Sequence, residues 1–117
     1  MITYNAEGVK LPKIGKRDTT RWIKAVAATH NRKVGEIGYM FVDDEKILEV
    51  NNEYLGHDYY TDIITFPMSE EAGVVSADIY VCVPVVFENA VHFKTSAYTE
   101  LIRVLFHGIL HLIGYDD

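Results

Sequence analysis

The chain has 117 residues, of which 49% are apolar and 24% charged, with a net charge of −6 and a single cysteine, Cys82. That length supports one domain with a real core, while no apolar run approaches the ~20 residues of a membrane span. A lone cysteine excludes an internal disulfide, and with no apolar leader at the N-terminus the expected location is a reducing cytoplasm.

In chain order, the first expected element is a short strand over residues 1–5 (MITYN). Asp18, followed by two threonines, offers an N-cap for a helix to about His30, with Trp22, Ile23, Val26 and Ala27 on its buried face. Residues 36–42 (EIGYMFV) read as a strand, ended by Asp43 and Asp44, which open the next helix. Ile47, Leu48, Val50, Asn51, Tyr54 and Leu55 carry that helix's period, and Gly56 breaks it. Residues 62–66 (DIITF) form a strand up to Pro67, and residues 76–83 a second one up to Pro84. Pro84 suits the first turn of a short helix to about Phe93, because its missing N–H is not needed there. Thr95 or Ser96 then caps a long helix to about Ile113, which Gly114 is placed to end. The expected fold is α+β: one domain, with a small mixed sheet of about four strands packed with helices. Cys82 is expected as a small core residue within VSADIYVCV.

Charge is unevenly spread. Residues 1–33 hold Lys10, Lys13, Lys16, Arg17, Arg21, Lys24, Arg32 and Lys33 against only Glu7 and Asp18, a net +6, leaving −12 for the rest. The overall acidity argues against indiscriminate nucleic-acid binding. The basic third reads either as a solvated helix face with its loops or as a phosphate-facing patch, and charge alone favours the first.

The chemistry concentrates in HGILHLIGYDD, residues 107–117. On a helix, residues i and i+4 share a face, so His107 and His111 can present two imidazoles to one ion. Gly114 lets the chain leave the helix, and Asp117 can return as a third ligand. Three protein ligands and an open position describe a catalytic zinc site. The spacing HxxxHxxGxxD is that of metzincins, with Gly108 where those enzymes carry a general-base glutamate and Asp117 where they carry a third histidine. Loss of the glutamate argues against peptide hydrolysis. A buried helix with hydrogen-bonded histidines is the bland alternative. Two histidines at this spacing in an apolar run favour the metal, since burying both is costly unless each is satisfied.

Three blocks then carry a resemblance. ELIRVLFHGILHLIGYDD (100–117) resembles the signature HGxLHLxGYDH of the YbeY family, bacterial metal-dependent endoribonucleases of ribosomal RNA maturation. EVNNEYLGHDYYTDIITFP (49–67) resembles that family's LNxxYRxxDxPTDVLSFP, and VSADIYVCVPVVFENA (75–90) its GDIxIxxxxVxxxA. The resemblance covers residues 36–117; the basic third supplies no matching motif. It implies a zincin-like α+β domain with a metal-binding C-terminal helix. It also implies one divalent ion, expected to be zinc, on His107, His111 and Asp117, with Asp116 as fallback ligand. The expected partners are single-stranded ribosomal RNA and the small ribosomal subunit or its proteins, with no DNA and no membrane.

There are departures. Asp117 stands where the family keeps histidine, Leu55 where it has arginine, and Tyr60 where it has proline. Arg103 or the N-terminal cations are the candidates to replace the missing arginine. Family members continue for another helix beyond Asp117, so a natural C-terminal tail is expected to be missing. Asp62 and Asp78 are the matched acids, read either as proton carriers or as turn-capping residues. His57 and His92 read as surface or capping residues, and Tyr59 with Tyr60 as base-stacking or packing rings. The alternative functions are a non-catalytic, metal-stabilised ribosome-assembly factor, another zincin-fold hydrolase, or an iron oxygenase built on the two-histidine, one-carboxylate set.

Overall fold

The computed structural model describes residues 1–56, 61–68 and 71–114. The elements run β1 (Ile2–Glu7), α1 (Lys16–Thr29), β2 (Lys33–Val42), α2 (Asp44–Leu55), β3 (Ile63–Pro67), β4 (Val74–Cys82), α3 (Val83–His92) and α4 (Ala97–Ile113). The four strands form one mixed sheet in the order β1-β2-β4-β3. β1 and β4 flank β2 in parallel, and β3 lies antiparallel on β4 with Ile63 opposite Val81. The result is a small α+β domain, as expected.

Period-2 alternation sends side chains to the two faces of the sheet. Tyr39, Phe41, Ala77, Ile79 and Val81 point to one face, where Ile23 of α1, Val86 of α3 and Leu101, Val104, Leu105 and Ile109 of α4 complete the main core. Val42, Ile64 and Cys82 point the other way and are covered by Ile47 and Val50 of α2. The inner strands β2 and β4 are therefore apolar on both sides at their C-terminal ends, which is why their sequences read as near-continuous runs. Cys82 is fully buried there, and burial pushes its thiol up to about 11.

Some expectations require correction. Helix α1 starts at Lys16 with Gly15 at the N-cap, so Asp18 lies in the first turn, where it favours the helix dipole and bonds Arg21 at 2.9 Å. The buried stripe of α1 is Thr19, Ile23 and Ala27, and Trp22 stays 39% exposed. In α2 the buried positions are Ile47, Val50 and Asn51, while Tyr54 and Leu55 are exposed. Strand β2 begins at Lys33, earlier than expected, because the parallel partner β4 extends to Val74 opposite it. Among the described residues, no helix is long and apolar enough to cross a membrane.

Candidate metal centre

Helix α4 is fixed at both ends by local chemistry. Ser96 Oγ accepts the Thr99 N–H at 3.0 Å, and Gly114, in the left-handed region at φ 107°, donates its N–H toward the carbonyls of Leu110 and His111. The apolar stripe Leu101, Val104, Leu105 and Ile109 is buried to within 3% of complete. Tyr39 O–H reaches across from β2 and donates to the Leu105 carbonyl at 3.3 Å, and burial raises the tyrosine's pKa.

Gly108 lies within this stripe. A Cβ there would fall 2.7 Å from Cδ1 of Ile63, with Thr65 and Ile79 just behind. Helix and sheet meet backbone to side chain at this point. The position next to His107 therefore has no room for the glutamate that a peptidase would need.

The flank of α4 beside that stripe is polar. Arg103, His107 and His111 follow one another at i+4 intervals, so they line one side of the helix. His107 is half-buried and its Nδ1 atom is shielded from solvent, whereas His111 is exposed. Their ring centroids are 4.8 Å apart with the planes at 79°, a separation at which two imidazoles can donate to one ion. The helix is thus not buried all round: the flank carrying the histidines opens to solvent.

At the head of that flank, Arg103 forms a two-pronged pair with Glu100. Nε donates to Oε1 at 3.0 Å and an Nη to Oε2 at 2.6 Å. Glu100 is 1% exposed, so its charge is tolerable only because the guanidinium meets it edge to edge. The hydrogen bonds to Glu100 raise the arginine's pKa first, burial works against them, and Asp62 adds attraction. Sequence reading missed Glu100; the E-x-x-R spacing on the helix was the available signal.

The remaining candidates are spread out. Asp62, just ahead of β3, lies within electrostatic reach of Arg103, and its carbonyl accepts the Cys82 N–H at 2.8 Å. Asp78 is on the opposite face of the sheet, in a shallow cavity of about 720 Å³ beside Gly38 and Ser76, away from the histidine pair. Leu55 closes α2 just before the left-handed Gly56 and is 44% exposed. His92 is exposed at the end of α3. Asp116, Asp117, His57, Tyr59 and Tyr60 lie outside the described residues. Among the described residues, no three His, Cys, Asp or Glu side chains gather as a metal-binding group. Two imidazoles fit a divalent ion as donors, and a complete set needs at least a third ligand.

Comparison with known proteins identifies the family. The family model described as "Endoribonuclease YbeY" matches residues 2–117, so the match takes in the basic third in which no motif was read. A protein named Endoribonuclease YbeY from Bacteroides fragilis is 54% identical over 116 residues, 99% of this chain and 83% of that protein. One of the same name from Porphyromonas gingivalis is 48% identical, again over 99% of this chain and over 76% of its own length. The solution structure of TM1509 from Thermotoga maritima superposes with a TM-score of 0.62 at 32% identity, covering 99% of this chain and 74% of that one. The chain belongs to the YbeY family of endoribonucleases.

Proposed function

We propose that this protein is a metal-dependent endoribonuclease that hydrolyses phosphodiester bonds in single-stranded RNA, working in the cytoplasm in ribosomal RNA maturation. The observation that carries the reading is the pair His107 and His111, 4.8 Å apart on the open flank of α4 in a member of an endoribonuclease family. His107, His111 and Asp117 would hold one divalent ion, with zinc the expected metal. When bound, the ion supplies an activated water or a polarised phosphoryl oxygen. A carboxylate as third ligand lowers the net charge of the site by one relative to imidazole, which favours a less acidic bound water and harder divalent metals.

The protein's own residues have separate tasks. The half-buried ring of His107 would anchor the ion, next to Gly108, whose missing side chain lets α4 lie close on Ile63 of β3. His111, one turn on, faces solvent and leaves the substrate side open. Asp62 is the carboxylate within electrostatic reach of Arg103 on α4 and the candidate to accept a proton from the attacking water. The small ribosomal subunit or its proteins would present the RNA.

Elemental analysis of wild type beside His111→Ala and Asp117→Ala, with cleavage of a single-stranded ribosomal RNA fragment measured in parallel, tests the reading. The expected result is near-stoichiometric metal and chelator-sensitive cleavage in the wild type, both lost in His111→Ala. Metal retained in Asp117→Ala would remove that residue from the ligand set. Cleavage that survives both chelation and His111→Ala would overturn metal dependence.

A further inference from the structure

An endoribonuclease that lacks the expected arginine at position 55 must draw its electrostatic hold on RNA from somewhere else. Beyond residue 33 the sequence contains only Lys46, Lys94 and Arg103 as cations. Lys46 stands between Glu7 at 3.7 Å and Glu49 at 3.6 Å. Arg103 is clamped by Glu100, with Asp62 close enough to add to the field. A phosphate at Arg103 would meet a guanidinium already neutralised by a buried carboxylate, so Arg103 is a poor substitute. Lys46 and Arg103 thus have their charge engaged by neighbouring carboxylates.

The cations of the N-terminal third are arranged differently. On α1, Arg17, Arg21 and Lys24 recur at i, i+4 and i+7, and so share one face; Lys16 precedes them. All four are exposed. Among the described residues, Arg21 pairs with Asp18 at 2.9 Å, while Lys16, Arg17 and Lys24 pair with no carboxylate. Lys16 and Arg17, with Thr20, form one wall of an open cleft of about 520 Å³ whose other wall is residues 2–5 of β1. Because β1 is an edge strand, its outer backbone groups stand along this cleft beside the cations. Thr20 Oγ1 meets Tyr4 Oη at 3.0 Å and ties the two walls together.

We propose that the cleft between α1 and β1 is a second RNA-backbone site, which holds a phosphodiester strand remote from the bond that is cut. The proposal rests on the endoribonuclease reading for its partner and on charge complementarity for its place. The stripe lies within a +6 segment of a −6 chain, so the remaining −12 repels a polyanion elsewhere and directs it here. Helix α4 rests on β3 and β4 and also meets α1 on the same face of the sheet, while β3 lies about 14 Å from β1 at the usual strand spacing. A single strand that crosses the helical layer can reach both places, so RNA length would matter for affinity.

The test uses fluorescence anisotropy of a labelled oligouridylate long enough to span both edges, titrated at several potassium chloride concentrations. Lys16→Ala with Arg17→Ala removes the two exposed cations that wall the cleft at the head of the stripe. Arg32→Ala with Lys33→Ala removes the same charge from outside the cleft. For the stripe variant, the expected result is about tenfold weaker binding and a salt slope smaller by about 1.4, or 0.7 per phosphate contact on a single strand. The control pair should keep the wild-type slope. Equal losses in both variants, or an unchanged slope in the stripe variant, would overturn the proposal. Loss of poly-L-glutamate binding with RNA binding intact would likewise overturn it, in favour of an acidic protein partner. Cleavage is scored separately: a wild type that binds through the stripe yet never cuts RNA would sink the catalytic reading and leave this one standing.

Discussion

A methyl group on Gly108 would sit 2.7 Å from Cδ1 of Ile63, the movable end of a side chain, whereas a longer group would have to enter the layer between α4 and β3. Gly108→Ala should therefore cost little. The gain in helix propensity, about 1 kcal/mol, offsets a small shift of Ile63, and the net change in urea unfolding should stay within about 1 kcal/mol. Gly108→Glu, which restores the peptidase pattern, places a carboxylate in that layer and should destabilise the fold by at least about 3 kcal/mol. Near-native stability in the glutamate variant would show that the contact gives way. Cys82 offers a test by pH. Its pKa is raised by burial from 9.0 to about 11, so the neutral thiol stabilises the fold fully below pH 9 and loses that contribution as the pH passes 11. Between pH 8 and 11 the wild type should lose roughly 2–3 kcal/mol more than Cys82→Ala. Equal losses in the two proteins would refute the assignment.

At the scale of elements, the Arg103–Glu100 pair binds two turns of α4 to one another at the edge of the core. Arg103→Ala strands a buried carboxylate and should cost about 2 kcal/mol. Adding Glu100→Gln should recover part of that, and a double-mutant cycle showing strict additivity would argue that the pair is inert. Helix α4 was also the element most legible in the sequence. Ser96, Gly114 and the HxxxH spacing are local signals that act within a turn or two, and all lie where they were read. The phase of α1 was not legible in the same way. Its buried stripe uses Thr19 and Ala27, while the bulky Trp22 falls beside Ile23 in sequence but off its face, so hydrophobic size pointed away from the true orientation. The reason for Gly108 was hidden too. Its constraint comes from Ile63 and Thr65, and nothing in either segment alone announces that β3 runs beneath α4. Likewise Asp62 and Asp78 look equivalent in sequence, and only the structure shows that Asp62 lies within electrostatic reach of Arg103 on α4 while Asp78 lines a cavity with Gly38 and Ser76.

For the molecule as a whole, a metal that binds only the native state should add to its stability by mass action. At zinc a hundredfold above its dissociation constant, unfolding should cost about 2.7 kcal/mol more than in chelator, and this increment should vanish in His111→Ala. An equal increment in that variant would place the ion elsewhere.

The strand order sets one last condition, on the timing of assembly. Strand β2 cannot fill its inner edge until β4 exists, since Lys33 pairs with Val74 and the whole of α2 and β3 is threaded between them. Loop closure over that distance precedes any reward from the ladder, so the fold should form slowly for its size, in milliseconds to seconds. Helix α4 packs on β3 and β4, and it is the last of the described elements in chain order. During synthesis, then, the helix that carries the histidine pair emerges after the sheet that must support it. The histidine pair is thus carried by a helix whose supporting strands are already synthesised when it emerges.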